Sequence, residues 1–350
     1  MTRHAFVRRI TPQLIILAVV LALNLMVFPD FFKIELKNGR LFGYLIDVLN
    51  RGAPTALLCL GMTLVIATKG IDLSVGAVMA IAGATAASLV VDGNHWTAAV
   101  AGALAVGALC GLWNGVLVAI LRIQPIVATL VLMVAGRGIA QLITEGTILT
   151  FLDPGLIHLG AGTIFGVPTP VLIWLILGAF VAVFVRRTAL GMLIEAIGIN
   201  EASSRLAGIN SRVLLLCVYV VSGIGAAIAG VIVAADIQGA DANNAGLWLE
   251  LDAILAVVIG GNSLLGGRFS IVASLLGAMI IQSVNSLILL SGMPPEFNLV
   301  IKALLILAIL VIQSPKVGHV LYILRASAPS TPPKSQSITK PTSSPQEDQS

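Results

Sequence analysis

The chain alternates long apolar runs with short polar breaks. A first run, residues 11–28, follows a basic start with Arg3, Arg8 and Arg9. No small-x-small cleavage site follows Phe28, so the run reads as an uncleaved helix. A mixed-charge loop covers 33–50. Further apolar runs occupy 53–68, 74–91, 97–121 and 125–145, then about 170–185 and 213–235, a short piece at 251–259, and 270–290 and 299–312. Each run but the short one is long enough, or nearly so, to cross a bilayer as a helix. The pattern predicts an all-α fold: a polytopic transmembrane helical bundle of about ten spans. Residues 1–10 read as an N-terminal extension, 11–315 as the membrane domain, and 326–350, rich in Ser, Thr and Pro, as a disordered tail.

Composition narrows the class. The chain is 58% hydrophobic and 10% charged, against about 25% charged in soluble domains. A water-facing globule cannot hide so much apolar surface. The 35 glycines suit helices packed closely in lipid. Cys59, Cys110 and Cys217 lie far apart inside the runs and read as small packing residues. His4, His95, His158 and His319 are scattered with no ligand spacing, so no metal site is expected. The net charge of +4 does not point to nucleic acid; the placement of the charges says more. With the N-terminus inside, fourteen of the 20 Lys and Arg fall on the inner side, among them Arg186, Arg187, Arg205, Arg212 and Arg268. Both termini and the polar stretch 187–211 are then cytoplasmic, and the loops 146–168 and 236–250 face outward.

That polar stretch is the main island in the apolar sequence. Asn200 is a good N-cap, Glu201 suits the positive end of a helix dipole, and Gly208 can close a helix in the left-handed conformation. Glu201 and Arg205 stand four apart and can pair. A short helix over 201–207, outside the hydrocarbon, is expected. It is either a plain solvated connection or a lever on which another protein pushes.

Other polar groupings have two readings each. Gly107, Gly111 and Gly115 share one helix face, for packing within the chain or against a second subunit. Arg137, Gln141 and Glu145 share a stripe, as a pathway lining or as a structural network at a helix end. Asp72 or Ser74 is expected to cap the following helix. Asp236, Gln238, Asp241, Asn243, Asn244, Trp248 and Glu250 offer the carboxylates, amides and aromatic face that hold a sugar; an ordinary outer loop with an interfacial Trp is the plainer reading. The stretch 261–268 half-matches a phosphate loop but lacks the Lys-Ser/Thr pair, which excludes nucleotide binding by this chain. Residues 67–83 and 260–277 look alike, through an internal repeat or through shared composition.

Three segments carry a resemblance: GMTLVIATKGIDLSVGAVMAIAG (61–83), EAIGINEASSRLAGIN (195–210) and LDAILAVVIGGNSLLGGR (251–268). They resemble the membrane permeases of bacterial ABC importers for monosaccharides, the ribose/xylose/arabinose group, over roughly residues 40–314. Within that group, NRGAPTALL (50–58), VATLVLMVAGRGIAQLIT (127–144) and ADIQGADANNAGLWLELDAILAVVIGG (235–261) are similar to permeases of galactofuranose importers. The resemblance implies a non-catalytic subunit in the bacterial inner membrane. Glu195, Asn200, Glu201, Arg205 and Gly208 would belong to a coupling helix seated on an ATP-binding subunit, which carries the ATP and Mg. It also implies a second permease (a sister chain or a second copy) and a periplasmic sugar-binding protein. The alternatives are a permease for another monosaccharide such as ribose, and an ion-driven secondary transporter. Against the latter, Asp72, Glu145, Glu250 and Asp252 all fall near the ends of runs.

Overall fold

A backbone in lipid must satisfy its own N–H and C=O groups, and a helix does so within one segment. In the computed structural model, which describes residues 3–37, 39–292, 294 and 297–313, every apolar run is helical. In chain order the helices are α1 (Arg3–Val27), α2 (Tyr44–Arg51), α3 (Ala53–Ala67), α4 (Val75–Val91), α5 (Trp96–Ala119), α6 (Pro125–Ile143), α7 (Pro154–Ala161), α8 (Thr169–Arg187), α9 (Leu190–Ile199), α10 (Glu201–Leu206), α11 (Ser211–Asp236), α12 (Leu249–Ile259), α13 (Ile271–Leu290) and α14 (Phe297–Gln313). Among the described residues six helices are long and apolar enough to cross a membrane: α1, α5, α6, α8, α11 and α13. Helices α2 and α3, bent by 41° at Gly52, make a seventh if counted as one span.

Among the described residues the strands are three antiparallel pairs: β1 (Glu35–Lys37) with β2 (Arg40–Phe42), β3 (Leu149–Thr150) with β6 (Gly239–Ala240), and β4 (Thr163–Ile164) with β5 (Val167–Pro168). They form no barrel.

Helix α11 is the central post, packed by α3, α4, α5 and α7. Its buried face is rich in small residues, including Ser222, Gly223, Ala226, Ala227 and Gly230. The glycines of α5 meet this face. Gly107 lies against Gly223 and Ala227, Gly111 against the backbone of Tyr219 and Val220, and Gly115 against Leu216. Small residues on both sides bring the helices to backbone contact, which maximises dispersion where lipid gives no hydrophobic drive. A second cluster joins α12, α13 and α3, and α1 lies along α13, where Asn24 Nδ2 donates to the Ser283 carbonyl at 3.1 Å. Large apolar side chains such as Met26, Leu109, Val134 and Phe180 are left exposed, as lipid-facing residues are.

Four sequence expectations change. Helix α1 already begins at Arg3, so residues 3–10 continue the helix instead of preceding it. The loop at 33–50 contains the β1–β2 hairpin and α2. The loop at 146–168 contains α7, capped by Asp153, whose carboxylate accepts from Leu156 N at 2.8 Å. The polar island is two helices, α9 and α10. The chain divides into a unit over 1–302 and a unit from 303 onward; the described part of the latter, to Gln313, is helical. The expected tail, 326–350, lies outside the described residues.

A polar loop held inside the helix bundle

The stretch between α11 and α12 runs beside α4, from the β3–β6 pair to the first turn of that helix. It starts with Ala240 paired to Leu149, where β3 and β6 pack on α4. It ends with Gly246 and the Glu250 carboxylate against Gly76, the second residue of α4. Helix α4 has 17 residues, about 26 Å at 1.5 Å per residue. The loop is therefore drawn down beside α4 to the opposite end of that helix. Helix α12 has only 11 residues, about half a span. Its N-terminus, with Trp248 in the left-handed conformation (φ 67°), lies within the bundle.

Two residues of α6 hold the loop. Arg137 Nη1 donates to the carbonyls of Ala242 (3.1 Å) and Ala245. Gln141 Nε2 donates to Asn243 Oδ1 at 2.8 Å. The loop also folds on itself. The Asp241 carboxylate accepts from the backbone N–H of Asn243 and Asn244 and from the Asn244 amide, at 2.8–3.2 Å. Buried Glu250 keeps Oε2 without a hydrogen-bond partner. Asn243, Asn244 and Trp248 remain exposed. The result is a wall of amides, one carboxylate and one indole, on a backbone clamped by Arg137.

The residues that the sequence pattern groups together are divided accordingly. Arg137, Gln141, Asp241, Asn243, Asn244, Trp248 and Glu250 belong to this loop and its clamp. Asp236 and Gln238 stand in other places. Asp236 lines a cavity of about 240 Å³ with Asn50, Arg51 and Gln282. Gln238 lines one of about 730 Å³ with Asn94, Thr150 and Asp153. Glu145 lies past the end of α6 in a left-handed turn (φ 52°), exposed, and does not continue the stripe.

Asp72 is not a helix cap. Its side chain is 2% exposed and gathers three donors. Oδ1 accepts from Ser74 N (3.0 Å) and Ser74 Oγ (2.6 Å), and Oδ2 accepts from Ser222 Oγ of α11 at 2.8 Å. Ser74 Oγ in turn accepts from Asn114 Nδ2 of α5 at 2.8 Å. The break between α3 and α4 is thus tied to α5 and α11. A matching arrangement serves the break between α12 and α13. Asn262 Oδ1 accepts from Ser270 N (2.7 Å), Asn262 Nδ2 donates to Ser274 Oγ (2.8 Å), and the Ser274 and Thr63 hydroxyls lie 2.7 Å apart. The two similar stretches therefore share a helix–break–helix form with a side-chain oxygen receiving a serine N–H. Sequence reading also missed a buried ion pair, Lys302 Nζ to Asp252 Oδ2 at 2.7 Å. Two opposite charges inside apolar runs were the available signal. Asp72, Glu250 and Asp252 are all buried.

At the other polar region, Asn200 caps α10 by accepting from Ser203 N at 3.0 Å, and Gly208 closes it at φ 85°. Arg205 Nε and Glu201 Oε1 stand 4.0 Å apart on the exposed surface, and Glu201 Oε1 also accepts from Ser211 Oγ. Glu195 lines a cleft of about 360 Å³ with Arg186, Met192 and Phe269. Leu206 at 91% exposure and Met192 at 69% stand out from these short helices. Among the described residues no group of three His, Cys, Asp or Glu could hold a metal ion.

Comparison with known proteins adds the wider frame. The family described as branched-chain amino acid transport system / permease component matches residues 44–310. The chain is 59% identical to the galactofuranose transporter permease protein YtfT of Escherichia coli, over 87% of this chain and 89% of that protein. It is 42% identical to the fructose import permease protein FruF of Bifidobacterium longum, over 83% of each chain. It is 40% identical to the ribose import permease protein RbsC of Escherichia coli, over 87% of this chain and 93% of that one. No solved structure matches it. A match running from α2 into α14, joined to a fold of packed membrane-length helices, places the chain in the branched-chain amino acid transport system permease component family, as a multi-pass membrane protein.

Proposed function

We propose that the chain is a permease subunit of an ABC-type importer that carries a monosaccharide, galactofuranose before other sugars, across the bacterial inner membrane. The observation that carries this reading is the 59% identity to a galactofuranose transporter permease over 87% of the chain. Identities of 42% and 40% to fructose and ribose permeases make another monosaccharide the second reading. The chain is not an enzyme in this account. ATP and Mg belong to a partner ATP-binding subunit, and a periplasmic binding protein delivers the sugar.

The membrane arrangement proposed is ten spans with both termini cytoplasmic, counting the shorter helices α3, α4, α12 and α14 as spans or half-spans. That orientation puts α9 and α10 in the cytoplasm, where exposed Met192, Ile199 and Leu206 offer apolar anchors among charges. Glu195, Asn200, Glu201, Arg205 and Gly208 form the coupling segment on the ATP-binding subunit. The pathway passes the amide wall held by Arg137 and Gln141. Asn243, Asn244 and Gln141 are exposed on this wall, and exposed amides that face lipid are costly. A water-filled path shared with a second permease removes that cost. Asp236 and Gln238 serve the outer mouth of that path. Alternating access then needs only different affinities of two states for sugar and nucleotide.

The test is purification of the tagged chain from its host membrane. An ATP-binding subunit and a second permease should accompany it. Recovery of the chain alone, under conditions that preserve a known ABC complex, would turn the reading toward an ion-driven carrier.

A further inference from the structure

Three turns from distant parts of the chain meet at backbone contact beside the coupling segment. They are the turn after α3 at 67–70, the end of α9 at 197–200, and the glycine-rich loop at 261–268. Gly267 N donates to the Ala67 carbonyl at 2.9 Å. Gly198 sits where any side chain would run into that same carbonyl and the Gly267 amide. Lys69 Nζ donates to the Ile199 carbonyl, the last of α9, at 2.9 Å. The Lys69 stem lies against Gly266, so this one side chain touches both other turns. Gly267 holds φ 93°, a conformation that suits glycine.

Each of the two breaks leads inward by short hydrogen bonds. The 67–70 turn leads into the Asp72 group, which reaches α5 through Asn114 and α11 through Ser222. The glycine-rich loop leads into the Asn262 group, which reaches α13 through Ser270 and Ser274 and α3 at Thr63. The polar loop of the pathway lies at the far end of α12 from the glycine-rich loop, and against the start of α4. Both broken helix pairs that frame the pathway thus begin at the one knot.

We propose that these three turns form a latch, with Lys69 as its positioning residue, that passes displacement of the coupling segment to the α3–α4 and α12–α13 breaks together. This rests on the coupling reading above. It gives the 261–268 loop, which has no nucleotide chemistry, a role. Leu265 on that loop is 81% exposed and Ile199 is 64% exposed, so the ATP-binding subunit meets the loop and α9 as one surface.

Lys69 itself holds φ 65°, and the experiment reconstitutes the full complex with Lys69→Met, which keeps the stem and removes the donor. Sugar imported per ATP hydrolysed should fall at least about fivefold, with ATP hydrolysis and subunit recovery retained, and Lys69→Arg should restore most of the ratio. An unchanged ratio, a parallel fall in uptake and hydrolysis, or loss of assembly would each overturn the latch. Hydrogen exchange on the chain alone gives a readout that needs no ATP-binding subunit. Lys69→Met should raise exchange at 197–200 and 266–268 together, and a change at one turn only contradicts the proposal. Absence of any ATP-binding subunit with the wild-type chain would instead sink the importer reading itself.

Discussion

Lys302 and Asp252 allow a quantitative test of buried electrostatics. Their charged atoms are 2.7 Å apart and the side chains are 15% and 5% exposed. At an effective dielectric of about 20 the attraction is roughly 6 kcal/mol. Desolvation of the two ions takes back several kcal/mol, so the intact pair contributes little net. Removing one partner is different: the remaining charge keeps its desolvation and loses its attraction, at a cost of about 3–5 kcal/mol. Exposure this low leaves solvent little power to reduce that. Lys302→Met alone and Asp252→Leu alone should each lower the unfolding free energy by that amount, and the double variant should return to within about 2 kcal/mol of wild type. The assay is unfolding by SDS from dodecyl maltoside, followed by tryptophan fluorescence. If the double variant loses the sum of the two single costs, the pair does not couple and the reasoning fails.

Three further predictions concern the other sites. Asn200→Ala removes the cap of α10 and should cost about 1 kcal/mol locally, lowering uptake and recovery of the ATP-binding subunit while membrane abundance stays unchanged. Gly111→Leu drives a side chain into the Tyr219 and Val220 backbone, which cannot repack; a loss of at least about 3 kcal/mol is expected, read as disappearance of folded protein from the membrane. Arg137→Met strands the Ala242 and Ala245 carbonyls, at about 1–3 kcal/mol each, and should free the 241–248 loop; sugar uptake should drop more than tenfold (about 1.4 kcal/mol or more in rate) with normal insertion, and retained uptake would remove this loop from the pathway.

The helices were legible because lipid leaves the backbone no alternative, and apolar runs marked every one of the long ones. The cap at Asn200 was legible too, since capping is local chemistry within four residues. Helix α9 was hidden. Its ten residues follow two arginines and precede a charged segment, so they read as part of a loop, although Ile194 and Ile197 are buried. Asp72 was misread for a different reason. A capping role needs only its neighbours, but its partner Ser222 is 150 positions away. The path of the polar loop beside α4 was not legible, because its composition is that of any outer loop. What draws it inward is Arg137, a cation in an apolar run that needs carbonyls, and the choice of partner depends on packing. Asp236 and Gln238 were grouped with it by proximity in sequence, and the turn into β6 separates them.

Uptake by the reconstituted complex tests the central claim most directly. The chain, with the subunits that co-purify, would be placed in sealed vesicles with labelled galactofuranose and the binding protein outside and ATP at the opposite face. The account predicts accumulation that requires ATP and Mg, persists with ionophores, and is competed by galactofuranose ahead of ribose or fructose. Uptake that ignores ATP and collapses with an ionophore would contradict it.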